Sequence, residues 1–327
     1  MERVNPAMRH ALSSSGAGVF LLIVLFSLFF SVSTEGFLSG FNLFNLSRNI
    51  GINAIVGFAM MVVIVLGGLN LALGAIGVVT AMSFGWLVEQ VGVAWPAALV
   101  LAILFGTALG ALNGLLVVVT RLHSFVITLA TASIYFGSMI FLTKAEAFRK
   151  IPPIFSDFSR IRIFDRWSIY IIVAMAVALI LWMLYRTTSI GRQMLATGAN
   201  PAAAAISGVP TGAAVIAGHA LSGVIAALAA FLVLARTGAA IPSMTGVLGF
   251  DWLLPGLIGP VLGGVALAGG NVSVPGTFLG AALVTIIANG LQLTQVADYW
   301  VQSCLGLMLL GALFLDRLRA SILDVAT

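Results

Sequence analysis

Charged residues in this chain lie almost entirely at the edges of long apolar stretches. They make up 8% of its 327 residues, while 61% of the residues are apolar. A soluble domain contains roughly 25% charged residues, and a membrane-spanning helix needs about 20 mainly apolar residues in a row. The sequence therefore predicts an all-α integral membrane protein, with residues 1–327 forming a single transmembrane domain and no separate soluble domain.

Ten stretches are long and apolar enough to cross a membrane. The predicted spans are 16–33, 47–66, 71–88, 95–119, 124–143, 168–185, 212–235, 251–268, 275–293 and 299–315. The first span follows two arginines as a signal peptide would, but nine later spans favour an uncleaved helix. The longest polar connections are residues 144–167 and 186–211.

The positive-inside rule leaves the orientation open. With both termini in the cytoplasm, seven basic residues fall on the cytoplasmic side and eight on the outside. The 144–167 loop carries six of those eight, together with Glu146, Asp157 and Asp165. Because it mixes both charges, we expect this loop to fold compactly on the surface.

Glycines recur every four residues in three of the predicted spans. Such stripes let helix backbones approach closely, which matters in lipid because burial from water no longer drives association. We interpret them as helix-packing surfaces. The stripes are Gly106, Gly110 and Gly114, then Gly259 and Gly263, then Gly276 and Gly280.

Two further segments combine consecutive glycines with a polar residue, one between Gly67 and Gly74 and one between Gly263 and Gly276. Irregular backbone within a membrane must be buried in protein or face a watery cavity, and broken helices are common in transporters. Ordinary turns between helices, and amides that hold helices together, stay open as alternatives. The candidate pathway residues are Gly67, Gly68, Asn70, Asn113, Asn271 and Asn289.

His219 is the ionisable residue predicted well inside a span. An intramembrane ionisable group is a functional candidate, so a proton relay is one interpretation. The interpretation we favour is a neutral imidazole bonded to a backbone carbonyl.

Acidic residues are predicted at the ends of spans, with Asp251 at the start of one. Ion-coupled transporters generally use a buried carboxylate, and a nucleotide-binding protein of this type would carry a Gly-rich phosphate loop. Neither signature is visible in the sequence, nor is a catalytic constellation or a cluster of metal ligands. We therefore expect the energy for transport to come from a partner. A secondary carrier, a membrane-embedded transferase and a structural scaffold remain as alternative classes.

The polar segment from Gly191 to Val209 predicts a short helix between spans six and seven. Asn200-Pro201 suits a helix start, the alanines that follow propagate a helix, and Gly208 can end it. A helix lying flat on lipid would need a larger apolar face than this one has. The small helix is suited instead to a groove on a partner protein.

Three motifs together resemble the membrane subunit of ribose-type sugar ABC importers, the branched high-affinity monosaccharide permeases. The motifs are Gly67-Gly68-Leu69-Asn70-Leu71-Ala72-Leu73-Gly74, the Gly191–Val209 segment, and Gly269 to Thr277 followed by Asn289-Gly290-Leu291. The resemblance runs from about residue 45 to residue 319, with two departures. Asn70 stands where the family pattern has Asp, and Asp251 stands in a segment that more often contains Glu.

The resemblance implies a permease subunit in the bacterial inner membrane, surrounded by lipid and without nucleic acid. It also implies an orientation, with both termini and the 186–211 coupling loop in the cytoplasm and the 144–167 loop outside. ATP would be bound by partner subunits, so this chain would need no cofactor or metal. A periplasmic or lipid-anchored sugar-binding protein and a second permease, identical or related, complete the assembly. The substrate would be a monosaccharide, such as a pentose or related sugar or sugar alcohol. The residues implied to couple the ATPase to the spans are Arg192, Gly198, Asn200, Pro201, Ser207 and Gly208.

Overall fold

The computed structural model describes residues 15–297, 300–311 and 314. Regular structure in this part of the chain consists of helices and one antiparallel hairpin, β1 (Arg162–Ile163) with β2 (Trp167–Ser168). A π-helical turn, Leu87–Val91, extends α3, and a 3-10 turn, Val247–Trp252, precedes α11. The helices are α1 (Ser15–Ser33), α2 (Gly40–Ile64), α3 (Leu73–Trp86), α4 (Trp95–Thr120), α5 (Ser124–Thr143), α6 (Pro153–Arg160), α7 (Ile169–Thr187), α8 (Ser189–Ala199), α9 (Pro201–Ile206), α10 (Thr211–Thr237), α11 (Leu253–Leu262), α12 (Val274–Leu293) and α13 (Trp300–Gly311).

The prediction of a polytopic all-α membrane protein is confirmed. Among the described residues, 8 helices are long and apolar enough to cross a membrane, and they fall in eight of the ten predicted spans. The predicted span 251–268 is wrong as a single helix, because α11 has 10 residues and ends at the glycine pair Gly263-Gly264. The last predicted span is represented by α13, and residues 299, 312, 313 and 315 of that prediction lie outside the described residues.

Helix α2 forms the centre of the bundle. In its most apolar 18-residue stretch 83% of the residues are buried, against 11% for α1 at the periphery. From Ala54 to Ile64 it is apolar on all sides, as expected for a helix segment surrounded by protein. It packs against α7, α10, α11 and α12, and Ile55, Phe58 and Met61 are fully buried there.

The predicted glycine stripe of α4 is confirmed as a packing surface against α10. A methyl group added at Gly110 would overlap the carbonyl oxygen of His219, and one added at Gly114 would lie 2.7 Å from the Ile216 Cα. Gly223 on α10 is equally close to the Gly106 carbonyl. The two helices therefore touch backbone to backbone along this stripe, which side chains would prevent.

The two later glycine pairs pack against each other. Gly259 and Gly263 on α11 face Gly280 and Gly276 on α12, so that the stripes run antiparallel. A methyl group at Gly280 would overlap the Gly259 carbonyl oxygen, and one at Gly276 would overlap that of Gly263. The sequence indicated two separate stripes, and the structure shows that they form one interface.

The two ends of the bundle differ in structure. At one, which we call the α6 end, the connection from α5 to α7 forms α6 and the hairpin. Its start is fixed because the backbone N–H groups of Arg149 and Lys150 donate to Glu89 Oε2 at 2.7 and 3.0 Å, and because Phe148 pairs with Ala240. At the opposite end, the α9 end, lie α8 and α9. The expectation of a compact surface fold for residues 144–167 agrees with this arrangement.

Replacement of Gly110 by alanine should destabilise the helix bundle. We expect Gly110→Ala to lower the free energy of unfolding by about 1–3 kcal/mol, because the new methyl group overlaps backbone that cannot move aside. Thermal unfolding in mild detergent measures the effect. Gly137→Ala on α5 is the matched control, since nothing lies within 4 Å of its added methyl group. Equal melting temperatures for the two variants would contradict the packing argument.

Candidate functional site

The short helix predicted at Asn200-Pro201 is present as α9. The Asn200 side chain caps it by accepting a hydrogen bond from the Ala203 N–H at 3.0 Å, and Pro201 occupies its first turn. Ser207 follows the helix, and Gly208 ends it with a left-handed φ of 80°. Ile206 is 90% exposed although it is a large apolar residue. The helix is thus a short, capped projection at the α9 end of the bundle, with a large apolar side chain exposed on it.

The other two predicted coupling residues lie on the preceding helix, α8. Arg192 is exposed and donates to the Thr187 carbonyl at 3.2 Å. Gly198 is buried and contacts the Val65 carbonyl so closely that any side chain there would overlap it. The sequence predicted one helix in this region, whereas the structure has two, with Gly198 anchoring the first to the bundle.

Three chain segments meet at Gly198, and we call this contact the glycine junction. Its members are Val65 and Gly67 after α2, Gly198 in α8, and Gly269 and Gly270 before α12. The Gly270 N–H donates to the Val65 carbonyl at 2.8 Å. A methyl group at Gly269 would lie 2.6 Å from the Gly67 nitrogen, and one at Gly198 would lie 2.6 Å from the Gly270 nitrogen. Both predicted glycine-rich turns therefore touch the helix that leads into α9.

The first of these turns, residues 65–72, has its backbone bonded by side chains from neighbouring helices. Ser124 accepts from the Leu69 N–H at 2.9 Å, and Thr128 accepts from the Leu71 N–H at 3.0 Å. A methyl group at Gly68 would lie 2.5 Å from Ser124 Oγ, so the turn is closely packed against α5. These side chains supply the partners that irregular backbone needs within a membrane.

Asn70 in this turn is buried and hydrogen-bonded at both ends of its amide. Its Oδ1 accepts from the Ala72 N–H at 3.0 Å, and its Nδ2 donates to Ser222 Oγ at 2.9 Å. Ser222 in turn donates to the Ala59 carbonyl at 2.6 Å. Asn70 is 0% exposed. The side chain therefore joins α2, the turn and α10, and in this conformation does not face a passage.

Asn70 also fixes the depth of the turn. Ser222 is 11 residues after the start of α10 and 15 before its end, so it lies about 16 Å from one end of the helix and about 22 Å from the other. Helix α3, which begins just after the turn, therefore starts near mid-depth. The turn and α3 cross the membrane together as a broken helix.

A second irregular segment, which the sequence analysis missed, runs from Ala240 to Trp252; we call it the descending segment. It begins beside Gly85 near the α6 end, where Ala240 lies against that glycine. It then follows α3 inward, and Thr245 Oγ1 donates to the Gly74 carbonyl at 3.1 Å. The Trp252 ring reaches Gly77, beside the Ala226 carbonyl of α10. The dense turn residues Gly238, Pro242, Gly246 and Gly249 were the available signal.

Asp251 lies in the descending segment, and its predicted position at the membrane edge is wrong. The ring of its neighbour Trp252 reaches the level of Ala226, 15 residues after the start of α10 and 11 before its end. Ala226 is about 16 Å from the nearer end of that helix, so the chain at Asp251 and Trp252 lies well inside the bundle. Asp251 is exposed, and no described residue forms a recorded hydrogen bond or ion pair with its carboxylate. A helix start, which the sequence suggested would lie at the surface, here lies at mid-depth because the chain has already descended.

The remaining predicted pathway amides do not converge on one place. Asn113 on α4 accepts from the Tyr135 hydroxyl at 2.8 Å, with its Nδ2 buried. Asn289 on α12 forms a reciprocal amide pair with Asn42 on α2, at 3.0 Å in both directions. Asn271 is exposed beside the glycine junction. The pathway roles of these residues stay predictions, while the bonds of Asn113 and Asn289 are those of interhelical contacts.

His219 is buried on α10, as an intramembrane residue. Its Nδ1 lies 3.1 Å from the Val215 carbonyl oxygen, and its Nε2 has no partner among the described residues. Since a carbonyl only accepts, Nδ1 carries a proton, and a charged ring would bury a second N–H, at Nε2, without a partner. This agrees with the favoured interpretation of a neutral imidazole bonded to a backbone carbonyl.

The sequence matches, over residues 42–313, the family described as branched-chain amino acid transport system permease component. The chain belongs to this permease family. The D-allose transport system permease protein of Escherichia coli (strain K12) is 31% identical over 299 residues, which is 91% of this chain and 90% of that protein. The ribose import permease protein of Bacillus subtilis (strain 168) is 30% identical over 310 residues, covering 93% and 92% of the two chains.

The fructose import permease protein of Rhizobium meliloti is 29% identical over 320 residues, covering 95% of this chain and 88% of that protein. No solved structure matches the chain. The resemblance predicted from the three motifs is therefore confirmed as family membership. The matched region of this chain includes the glycine junction and both glycine-rich turns.

Removal of the Asn70 amide should cost stability in this permease. We expect Asn70→Ala to lower the free energy of unfolding by about 1–3 kcal/mol, because Ser222 and the Ala72 N–H lose their buried partner. The control is Asn271→Ala, an exposed asparagine, which should stay within about 0.5 kcal/mol of the parent. Thermal unfolding in detergent compares the two. A loss of transport with no loss of stability would show instead that Asn70 acts on the substrate.

Proposed function

We propose that this chain is the membrane subunit of an ATP-driven importer and forms the transmembrane path for a monosaccharide. Relatives aligned with at least 91% of its length are permeases named for D-allose, ribose and fructose. A relative that matches 78% of it is named for autoinducer 2. A pentose, a hexose or a closely related sugar is therefore the substrate class we favour.

The observation that carries this proposal is the construction of α9. Ile206 is 90% exposed on a helix that is capped by Asn200 and ended by Gly208. A large exposed apolar side chain at the polar end of a membrane protein suits a pocket on a protein partner. We assign this pocket to an ATP-binding subunit, which supplies the ATP site that this chain does not need.

The glycine junction supplies the route by which the partner would act on the spans. Helix α8 leads directly into α9, and Gly198 near its end touches Val65 and Gly270 backbone to backbone. When two ATP-binding subunits close on ATP, displacement of α9 is passed through α8 to both turns at once. Contacts between backbones transmit such movement well, because side chains that could rotate out of the way are absent.

The contact proposed between α9 and an ATP-binding subunit also sets the orientation of the chain and the places of the other partners. The α9 end faces the cytoplasm of a bacterium, with both termini on that side, and the α6 end faces outward from the inner membrane. A sugar-binding protein, periplasmic or lipid-anchored, docks at the α6 end. A second permease chain, identical or related, completes the pathway, and lipid covers the exposed apolar faces of the outer helices.

One observation favours an alternative function, a self-sufficient secondary carrier. Asp251 is an exposed carboxylate at mid-depth, and carriers use such groups to bind a coupling ion. In the importer, the same carboxylate has no coupling role.

Transport in liposomes should separate the two functions. We expect the chain alone to move none of the sugars D-ribose, D-allose or D-fructose under a proton or sodium gradient. When its ATP-binding and sugar-binding partners are added, uptake should require ATP on the side of the membrane where the ATP-binding subunits lie. Gradient-driven uptake by the chain alone would replace the importer by a carrier.

Substitution of Ile206 should weaken the contact with the ATP-binding subunit. We expect Ile206→Asp to reduce its affinity by roughly 30-fold or more, as loss of an interface hot spot does, with unchanged thermal stability. The matched control is Phe164→Asp, which alters an 89% exposed residue at the opposite end of the bundle. Co-purification with the ATP-binding subunit and its titration onto the purified permease measure the effect. Unchanged affinity for Ile206→Asp would remove α9 from the contact.

A further inference from the structure

We infer that the descending segment lines the aqueous pathway, and that Asp251 accepts hydrogen bonds there from the hydroxyl groups of the substrate. The inference that the segment lines the pathway holds for any transported solute. The assignment of hydroxyl groups rests on the proposed function in sugar import.

The first step is the depth of the segment. Thr245 and Gly249 lie against Gly74 at the start of α3, and Trp252 lies against Gly77. Since α3 begins near the middle of α10, these contacts place residues 245–252 in the interior of the membrane. The chain arrives there without forming a membrane-spanning helix, as the 3-10 turn and the left-handed Leu248 and Gly249 show.

The second step concerns what can cover this segment. Its exposed side chains include Ser243, Val247 and Asp251 as well as Phe250, which is 42% exposed. Irregular backbone cannot face lipid, because its free N–H and C=O groups would have no partners. A carboxylate in lipid is costly for the same reason. Such backbone must be buried in protein or face water. Because the Asp251 carboxylate is exposed and has no partner among the described residues, we assign the segment to water, in a passage that a second permease chain would close from the other side.

The third step is the position of the carboxylate. Asp251 lies directly against Gly246, whose φ is 76°, and a methyl group at Gly246 would lie 2.5 Å from Asp251 Oδ1. The Asp251 N–H donates to the Thr245 carbonyl at 3.3 Å, which closes the loop between the two residues. The glycine thus leaves room for the carboxylate, and the loop holds it in place.

The fourth step is the chemistry of this surface. An ionised carboxylate only accepts hydrogen bonds, and its two oxygens offer about four acceptor sites. Neutral polyhydroxylated molecules present several O–H donors at once. Phe250, the preceding residue, is also exposed and offers an aromatic surface to the C–H face of a sugar. An exposed carboxylate therefore fits a neutral sugar better than an anion, which it would repel.

Water access can be tested by cysteine labelling, whatever drives transport. In a Cys304→Ser background, Val247→Cys is treated with a charged methanethiosulfonate in the membrane-embedded complex, and Leu179→Cys on α7 is the control. Val247 is 70% exposed, and Leu179 is 53% exposed near the middle of its helix. We expect Val247→Cys to react roughly tenfold faster or more, because only a thiol in water forms the reactive thiolate. Equal, slow reaction at both positions would overturn the pathway assignment.

The role of Asp251 is tested by uptake of D-ribose, D-allose and D-fructose into proteoliposomes that contain the complete transporter. Asp251→Asn should lower uptake roughly fivefold to tenfold, because a hydrogen bond to a charged acceptor becomes one to a neutral acceptor. Glu35→Gln, which removes an exposed charge in the loop between α1 and α2, should leave uptake normal. Normal uptake by Asp251→Asn would overturn its role.

The result for this carboxylate is separable from the result for the proposed function. Uptake that depends on a gradient instead of ATP contradicts the importer, yet the two variants can still be compared under that gradient. If Asp251→Asn abolishes a proton-dependent component specifically, Asp251 is a coupling group and the sugar-acceptor assignment is wrong. If uptake falls equally with and without a proton gradient, the assignment stands.

Discussion

The architecture depends on close contact between backbones. Burial from water does not hold helices together within lipid, so this chain relies on glycines that let carbonyl groups touch neighbouring helices. The α4–α10 stripe, the α11–α12 interface and the glycine junction all use this contact. A helix held in this way has little freedom to shift sideways. Displacement at one glycine contact is therefore passed on to its neighbours instead of being absorbed by side chains.

The same constraint explains why the irregular segments are so well bonded where they are buried. Backbone N–H groups of the 65–72 turn donate hydrogen bonds to the hydroxyl oxygens of Ser124 and Thr128. The amide of Asn70 links the Ala72 N–H to Ser222, which bonds in turn to the Ala59 carbonyl. These partners come from α5 and α10, far away in sequence. The turn is consequently a product of the whole bundle. Its rigidity, together with the contact of Gly67 with Ala268 and Gly269, connects the α9 end to the start of α3 at mid-depth.

The sequence predicted features that depend on local pattern and missed those that depend on depth. Eight spans, the glycine stripes and α9 follow from runs, spacing and capping residues, and all are present. Depth is different, because a helix that starts after an irregular segment can begin anywhere in the membrane. The prediction therefore placed Asp251 at the surface, although turn residues from Gly238 to Gly249 marked an interruption. The hydrogen bond between Asn70 and Ser222 could not be predicted either, because it joins residues 152 positions apart in the sequence.

The two departures from the family pattern now have different structural meanings. At position 70 the amide donates from Nδ2 and accepts at Oδ1, which a carboxylate cannot do. With Asp there, Ser222 could donate either to it or to Ala59, and one buried acceptor would lose its partner. Asn70 thus suits a closed neutral network in the core. At position 251 the charge is kept, in the shorter Asp, on an exposed part of the chain. Of these two positions only 251 places a carboxylate at mid-depth, and Gly246 beside it provides the space that the carboxylate occupies.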